Sequence, residues 1–157
     1  MKIEKLFILS LFCIFLYSTE TLACLCKSES PKKAIKRLQK ESSEIFIGTV
    51  KEVVREKVNY YKATFTVEKS WKGNRVEEVT VYTEGGCMAW FETGRKYIVY
   101  ARIGDNDILR TDVCIRTRLV EYADEDIKRL GKPSFTNSKV AVVSITFALV
   151  HTDGQTP

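Results

Sequence analysis

Histidine is almost absent from this chain: there is one in 157 residues, His151, near the C-terminal end. A lone histidine is more often structural or exposed than catalytic, and without a His-Glu-x-x-His run the chain lacks the paired imidazoles and general base of a zinc hydrolase. It also lacks a glycine-rich phosphate loop and a recognisable nucleophile motif. The 25 Lys and Arg residues are interspersed with 20 Asp and Glu, for a net charge of +5, and no arginine-rich stripe stands out. Nucleic acid is therefore not an expected partner. A mildly cationic surface suits extracellular polyanions weakly and otherwise favours solubility. Asp124, Glu125 and Asp126 are the one acidic run to weigh for carboxylate chemistry. They fall in the first turn of an expected helix, where they suit the positive end of its dipole. The chain is not expected to be an enzyme or to carry a cofactor of its own.

Apolar runs long enough to span a bilayer are missing too. Leu6 to Tyr17 is interrupted only by Ser10, follows Lys2 and Lys5, and leads to Thr21-Leu22-Ala23. Those are the three parts of an export signal, and the run of roughly a dozen residues falls short of the ~20 needed to cross a membrane. The expected organisation is a signal peptide over 1–23, one domain over 24–131 and a C-terminal tail over 132–157. Cleavage after Ala23 leaves 134 residues, and the two Lys and two Glu removed leave the net charge at +5. The mature protein is expected to be secreted and monomeric, with no stable membrane span. A lipoprotein would instead be held at the cell envelope through acylated Cys24, but such signals usually carry Leu three residues before the cysteine, where Thr21 stands. In the tail, Val140 to Val150 is mostly apolar with Ser144 and Thr146 inside. It reads as an extra strand or a loosely ordered end.

Cys13 leaves with the signal, and Cys24, Cys26, Cys87 and Cys114 remain. An even number in an exported protein implies disulfides. A Cys24–Cys26 bond would close a tiny strained ring. Both other pairings tie the N-terminal tip to two distant points, each worth about 4 kcal/mol by the chain-entropy estimate. A four-thiol zinc site is the competing reading, and one Cys-x-Cys without a second close pair weighs against it.

Along the chain, Ser30-Pro31 reads as a cap followed by proline at the first helical position. Ala34, Ile35 and Leu38 then recur at helical spacing opposite Lys32, Lys33, Lys36, Arg37 and Lys40. From Glu44 the pattern turns to strands. Ile45, Phe46, Ile47 and Val50 surround Gly48, a bulge or bend signal. Tyr61, Ala63, Phe65 and Val67 alternate with polar residues. Trp71-Lys72-Gly73-Asn74 reads as a turn, Val79 and Val81 as the next strand, and Gly85-Gly86 as a flexible approach to Cys87. Tyr97 to Ile103 reads as a strand buried on both faces, Gly104 to Asp107 as a turn, and Ile108 to Thr111 as a short strand before Cys114. Ala123 to Leu130 is a second short helix ended by Gly131. Trp71 and Trp90 are expected in core or turn packing. About five short strands with a bend at Gly48, flanked by two helices, suit a mainly β, five-stranded barrel of the OB type, with a plain sandwich as the alternative.

The order of these features resembles a known family. Cys-x-Cys at the mature start is followed by Phe46-Ile47-Gly48-Thr49-Val50, Ser70-Trp71-Lys72-Gly73, a cysteine after Gly85-Gly86, Gly94-Arg95-Lys96-Tyr97-Ile98-Val99-Tyr100-Ala101, Cys114 and Leu130-Gly131. This looks like the netrin-like domain of the tissue inhibitors of metalloproteinases (TIMPs), over roughly 24–131. The resemblance implies an OB-type barrel and the disulfides Cys24–Cys87 and Cys26–Cys114. It also implies a partner, a zinc metalloendopeptidase, whose catalytic zinc would be chelated by the α-amine and carbonyl of Cys24. Leu25 would enter the adjacent pocket, and Cys26, Glu84, Gly85 and Gly86 would add contacts. Cys24 would thus be a metal ligand only toward the partner's zinc. The family's vertebrate members have a third disulfide and a cysteine-rich second domain, neither of which is present here, and a small hydroxyl residue where Leu25 stands. The alternative is a netrin-like extracellular or cell-envelope binding module in which Cys24 and Cys26 are staples only.

Overall fold

A computed structural model of the chain describes residues 24–74 and 76–137. The signal segment 1–23, the apolar stretch from Val140 and His151 lie outside the described residues. Among the described residues no helix is long and apolar enough to cross a membrane.

The elements run α1 (Pro31–Glu41), β1 (Glu44–Lys57), β2 (Tyr60–Lys72), β3 (Glu78–Glu84), β4 (Lys96–Ile103), β5 (Leu109–Arg110), β6 (Arg118–Leu119), α2 (Asp124–Leu130) and β7 (Phe135–Thr136). Pro31 opens α1 as expected, but the Ser30 side chain makes no cap; its carbonyl takes the first-turn N–H groups of Lys33 and Ala34 instead. Gly131, at φ 72°, ends α2, and its N–H reaches the Ile127 carbonyl.

Five strands close a ring in the order β1-β2-β3-β5-β4-β1. All neighbours are antiparallel except β3 and β5, which meet in parallel at Tyr82 and Arg110. β6 extends β4, and β7 adds to β2 at Lys69 and Ser70, so the ordered unit runs past Gly131. The first two strands are not short. β1 has 14 residues and β2 has 13, joined through Val58 and Asn59, with Asn59 at φ 53°. The outer part of β1 escapes a reading by alternation because its faces are wet: Lys51, Glu52, Arg55, Glu56 and Lys57 are exposed and only Val53 and Val54 are half-buried.

Within the ring, β1 shifts register against β2 at Ile47/Gly48. A Cβ on Gly48 would come within 2.8 Å of the Thr66 carbonyl oxygen, so the close strand approach requires glycine. Strand alternation then splits the apolar side chains into two cores. Phe46, Val50, Phe65, Val67, Val81, Tyr97 and Val99 fill the barrel. Ile45, Ile47, Ile98 and Tyr100 point the other way, against Leu38 of α1 and Ala123 before α2. This explains why β4 is buried on both faces. Inside the barrel Phe65 meets Phe46 and Phe91 edge-on, with ring centroids 5.5 and 5.1 Å apart, geometry worth about 0.5–1.5 kcal/mol per pair beyond the area buried.

Candidate functional site

The four cysteines bond as Cys24–Cys87 and Cys26–Cys114, with Cα atoms 5.2 and 5.0 Å apart. Each bridge lands on a loop made rigid by other means. Cys87 follows the turn at the end of β3. Gly85 there takes φ 75° and donates its N–H to the Asn59 carbonyl at the β1–β2 hairpin tip. The hydroxyl of buried Thr83 accepts from the Ala89 N–H at 2.7 Å, which folds the segment after Cys87 back onto β3.

Cys114 sits in a 3-10 turn, Val113–Ile115, whose N-terminal N–H groups on Cys114 and Ile115 both donate to the Asp112 carboxylate, at 2.7 and 3.0 Å. Just beyond, Arg116 turns through φ 65° and donates from Nε and Nη2 to the two oxygens of Asp126, at 2.8 and 2.6 Å. Tyr100 also donates to Asp126, at 2.9 Å, and Asp126 is fully buried. Burial first, and the Asp126 carboxylate second, push the Tyr100 phenol far above its usual range. The hydrogen bonds to Asp126 also raise the Arg116 guanidinium. Asp126 is therefore more than a first-turn acid suiting the helix dipole: it ties α2, β4 and the Cys114 loop together. The Val113 N–H donates to the Cys87 carbonyl at 3.0 Å and joins the two anchoring loops directly.

Between these anchors Leu25 is 93% exposed. The tip is thus a three-residue arch fixed at both ends, with its apolar middle side chain in solvent. Glu84 lies at the end of β3 and is ion-paired with Arg110. Gly86 precedes Cys87, so the sequence-derived site residues fall in one neighbourhood. Two exposed apolar residues beside it were not singled out from the sequence: Val58 at the hairpin tip bonded to Gly85, and Val113 beside Cys114. The apolar-Asn pair between alternating segments was the signal for the hairpin. Trp90 departs from core packing. It is 66% exposed, leaning on Tyr61 with ring centroids 5.6 Å apart, because the barrel interior is already filled by Phe91 and Tyr97. Trp71 is half-buried beside the helices and donates its indole N–H to the Gly131 carbonyl at 2.7 Å.

Sulfur atoms crowd at the tip, with Cys24 Sγ 3.4 Å from Cys114 Sγ and 3.7 Å from Cys26 Sγ. Cys24, Cys87 and Cys114 form the only group of metal-capable side chains among the described residues. Their sulfurs are committed to disulfides and offer no thiolate, which is the form that binds metal. No known protein-family model matches the chain, and no curated protein matches it.

Proposed function

We propose that the chain is a secreted, TIMP-like inhibitor of a zinc metalloendopeptidase. It would act through the α-amine and carbonyl of a mature N-terminal Cys24, with Leu25 entering the pocket beside the metal. One observation carries this reading: the Cys24-Leu25-Cys26 arch is braced by a disulfide at each end, and its middle side chain stands 93% exposed. An arch already held in place loses little conformational entropy on docking. The strand order of the ring supports an OB-type, netrin-like barrel, and the two disulfides suit an oxidising, extracellular compartment.

The chemistry follows from the ligand. A catalytic zinc keeps one position open for water. A neutral amine binds the metal better than water does, and the carbonyl of the same residue closes a five-membered chelate. The attacking water is displaced, and burying Leu25 contributes about 2 kcal/mol. The amine must be unprotonated, and a free α-amine titrates at roughly 7.7–8.0. Inhibition accordingly strengthens as pH rises through that range and weakens in acid.

The test compares the protein beginning at Cys24 with a form carrying one added Ala before it, against a panel of zinc metalloendopeptidases. The free-terminus form is expected to inhibit, and the extended form to lose inhibition at an unchanged melting temperature. Equal inhibition by both refutes chelation. No inhibition by the free-terminus form points to a netrin-like binding module.

A further inference from the structure

A four-thiolate metal site needs two close pairs of cysteines, and the sequence shows only one, Cys24-x-Cys26. The fold supplies the other. The Val113 N–H donates to the Cys87 carbonyl at 3.0 Å, which sets the Cys87 loop beside the Cys114 turn. The sulfurs of Cys24, Cys87 and Cys114 all lie within 4.8 Å of one another. Between the bridges, Cys24 Sγ is 3.4 Å from Cys114 Sγ and 3.7 Å from Cys26 Sγ. A tetrahedral zinc with Zn–S bonds of about 2.3 Å spaces its sulfurs about 3.8 Å apart. The contacts from one bridge to the other are therefore close to the spacing that such a set requires. Only the two bonded pairs stand closer, and breaking their bonds lets them open.

Hydrogen bonds, and not the bridges alone, hold these residues in place. At Cys114 the Asp112 carboxylate accepts the N–H groups of Cys114 and Ile115, at 2.7 and 3.0 Å. At Cys87 the Gly85 N–H donates to the Asn59 carbonyl at 3.0 Å, and the Thr83 hydroxyl accepts from the Ala89 N–H at 2.7 Å. The Cys24-Leu25-Cys26 arch is tethered three residues on, where Glu29 accepts from Arg37 Nε of α1 at 2.9 Å. Cys26 is exposed and Cys24, Cys87 and Cys114 are half-buried, so a reductant and a metal ion both have access.

We propose that the same four sulfurs, once reduced, form a tetrahedral zinc site. Two equivalents of a dithiol supply the four electrons and four protons that open both bridges, and each dithiol leaves as a disulfide. The four thiols then give up their protons to solvent as Zn²⁺ takes the four thiolates. A tetrahedral set of four sulfurs suits zinc, whereas Ca²⁺ and Mg²⁺ take oxygen ligands. The metal closes the same N-terminal tip that the disulfides close, exchanging two covalent links for one coordination centre. The proposal needs only the four sulfurs and does not depend on the inhibitor reading.

The test uses the protein beginning at Cys24, reduced with a phosphine and freed of it under argon. Added Zn²⁺ is expected to bind at one per chain, to raise the melting temperature of the reduced protein, and to protect all four cysteines from iodoacetamide, read by mass spectrometry. Co²⁺ as a probe should give the strong red ligand-field bands and near-ultraviolet charge-transfer bands of a tetrahedral thiolate centre. The disulfide form should show none of these effects. Cys87→Ser, whose reduced form keeps three thiols, should weaken zinc binding by more than about a hundredfold, beyond what the loss of an outer-shell partner costs. Denaturing urea separates a built site from four loose thiols: zinc affinity of the reduced protein should fall there by at least about tenfold, because metal binding is coupled to folding. Zinc at less than one per chain, fewer than four protected cysteines, unchanged affinity in Cys87→Ser, or equal affinity in urea overturns the proposal.

Discussion

Removing one bridge by Cys26→Ser/Cys114→Ser tests how the tip is held. Taken singly, the two disulfides close loops of very different size, with sequence separations of 63 and 88. The chain-entropy estimate for those loops is about 4.3 and about 4.6 kcal/mol. The bridges start only two residues apart, however, at Cys24 and Cys26. With Cys24–Cys87 intact, Cys26 and Cys114 are already connected through it by only about 30 residues of chain, and the increment from the second bridge falls to about 3.6 kcal/mol. The same short circuit applies when Cys24–Cys87 is the one removed. The two single-bridge variants are therefore expected to lose nearly equal stability, about 3.6 kcal/mol each, and the variant lacking both to lose about 8 kcal/mol. That larger loss falls within the 5–15 kcal/mol that holds an ordinary domain together. Urea denaturation of the three variants measures this. A loss below about 1 kcal/mol for either single-bridge variant, or single-bridge losses that differ by more than about 1 kcal/mol, refutes the reasoning.

Asp126→Ala leaves the Arg116 guanidinium and the Tyr100 hydroxyl without their shared buried acceptor, and is expected to cost about 3–5 kcal/mol in chemical denaturation. Leu25→Ala is expected to leave the melting temperature unchanged, since the side chain is 93% exposed, and to weaken inhibition of a responsive protease by roughly thirtyfold, the equivalent of about 2 kcal/mol. Glu44 is buried and accepts the Asn74 N–H at 3.0 Å, and burial raises its carboxyl above the usual range. A raised acid favours the fold while it is protonated, and that contribution is lost as pH rises through the raised value. Glu44→Gln, which keeps an acceptor for Asn74, should therefore exceed the parent in stability at neutral pH, with the difference closing in acid. A constant difference across pH would refute the assignment.

Legibility followed locality. Ala34, Ile35 and Leu38 mark α1 because a helix repeats its own face every three or four residues. Ala63, Phe65 and Val67 mark β2 because a strand alternates, and Gly131 marks a helix end because its φ of 72° suits glycine. Asp126 could not be read this way. Its first-turn position invited a dipole role, and its burial depends on Arg116 and Tyr100 meeting it from 10 and 26 residues away. The outer half of β1 was hidden for the opposite reason, because exposed strand residues leave no alternating trace. At the candidate site, the cysteines, Leu25 and Gly85 stood out by residue type, whereas Val58 and Val113 became neighbours of the tip only through backbone bonds that join separate loops.

By itself the sequence determined the positions of its helices and central strands and the irregularity of β1 at Gly48, because each is a property of neighbouring residues. The tertiary structure alone decided that β1 closes on β4, that β3 meets β5 in parallel, and that Asp126 is buried between Arg116 and Tyr100. Those outcomes join groups tens of residues apart, and which groups meet is set by how the whole barrel closes around its apolar core.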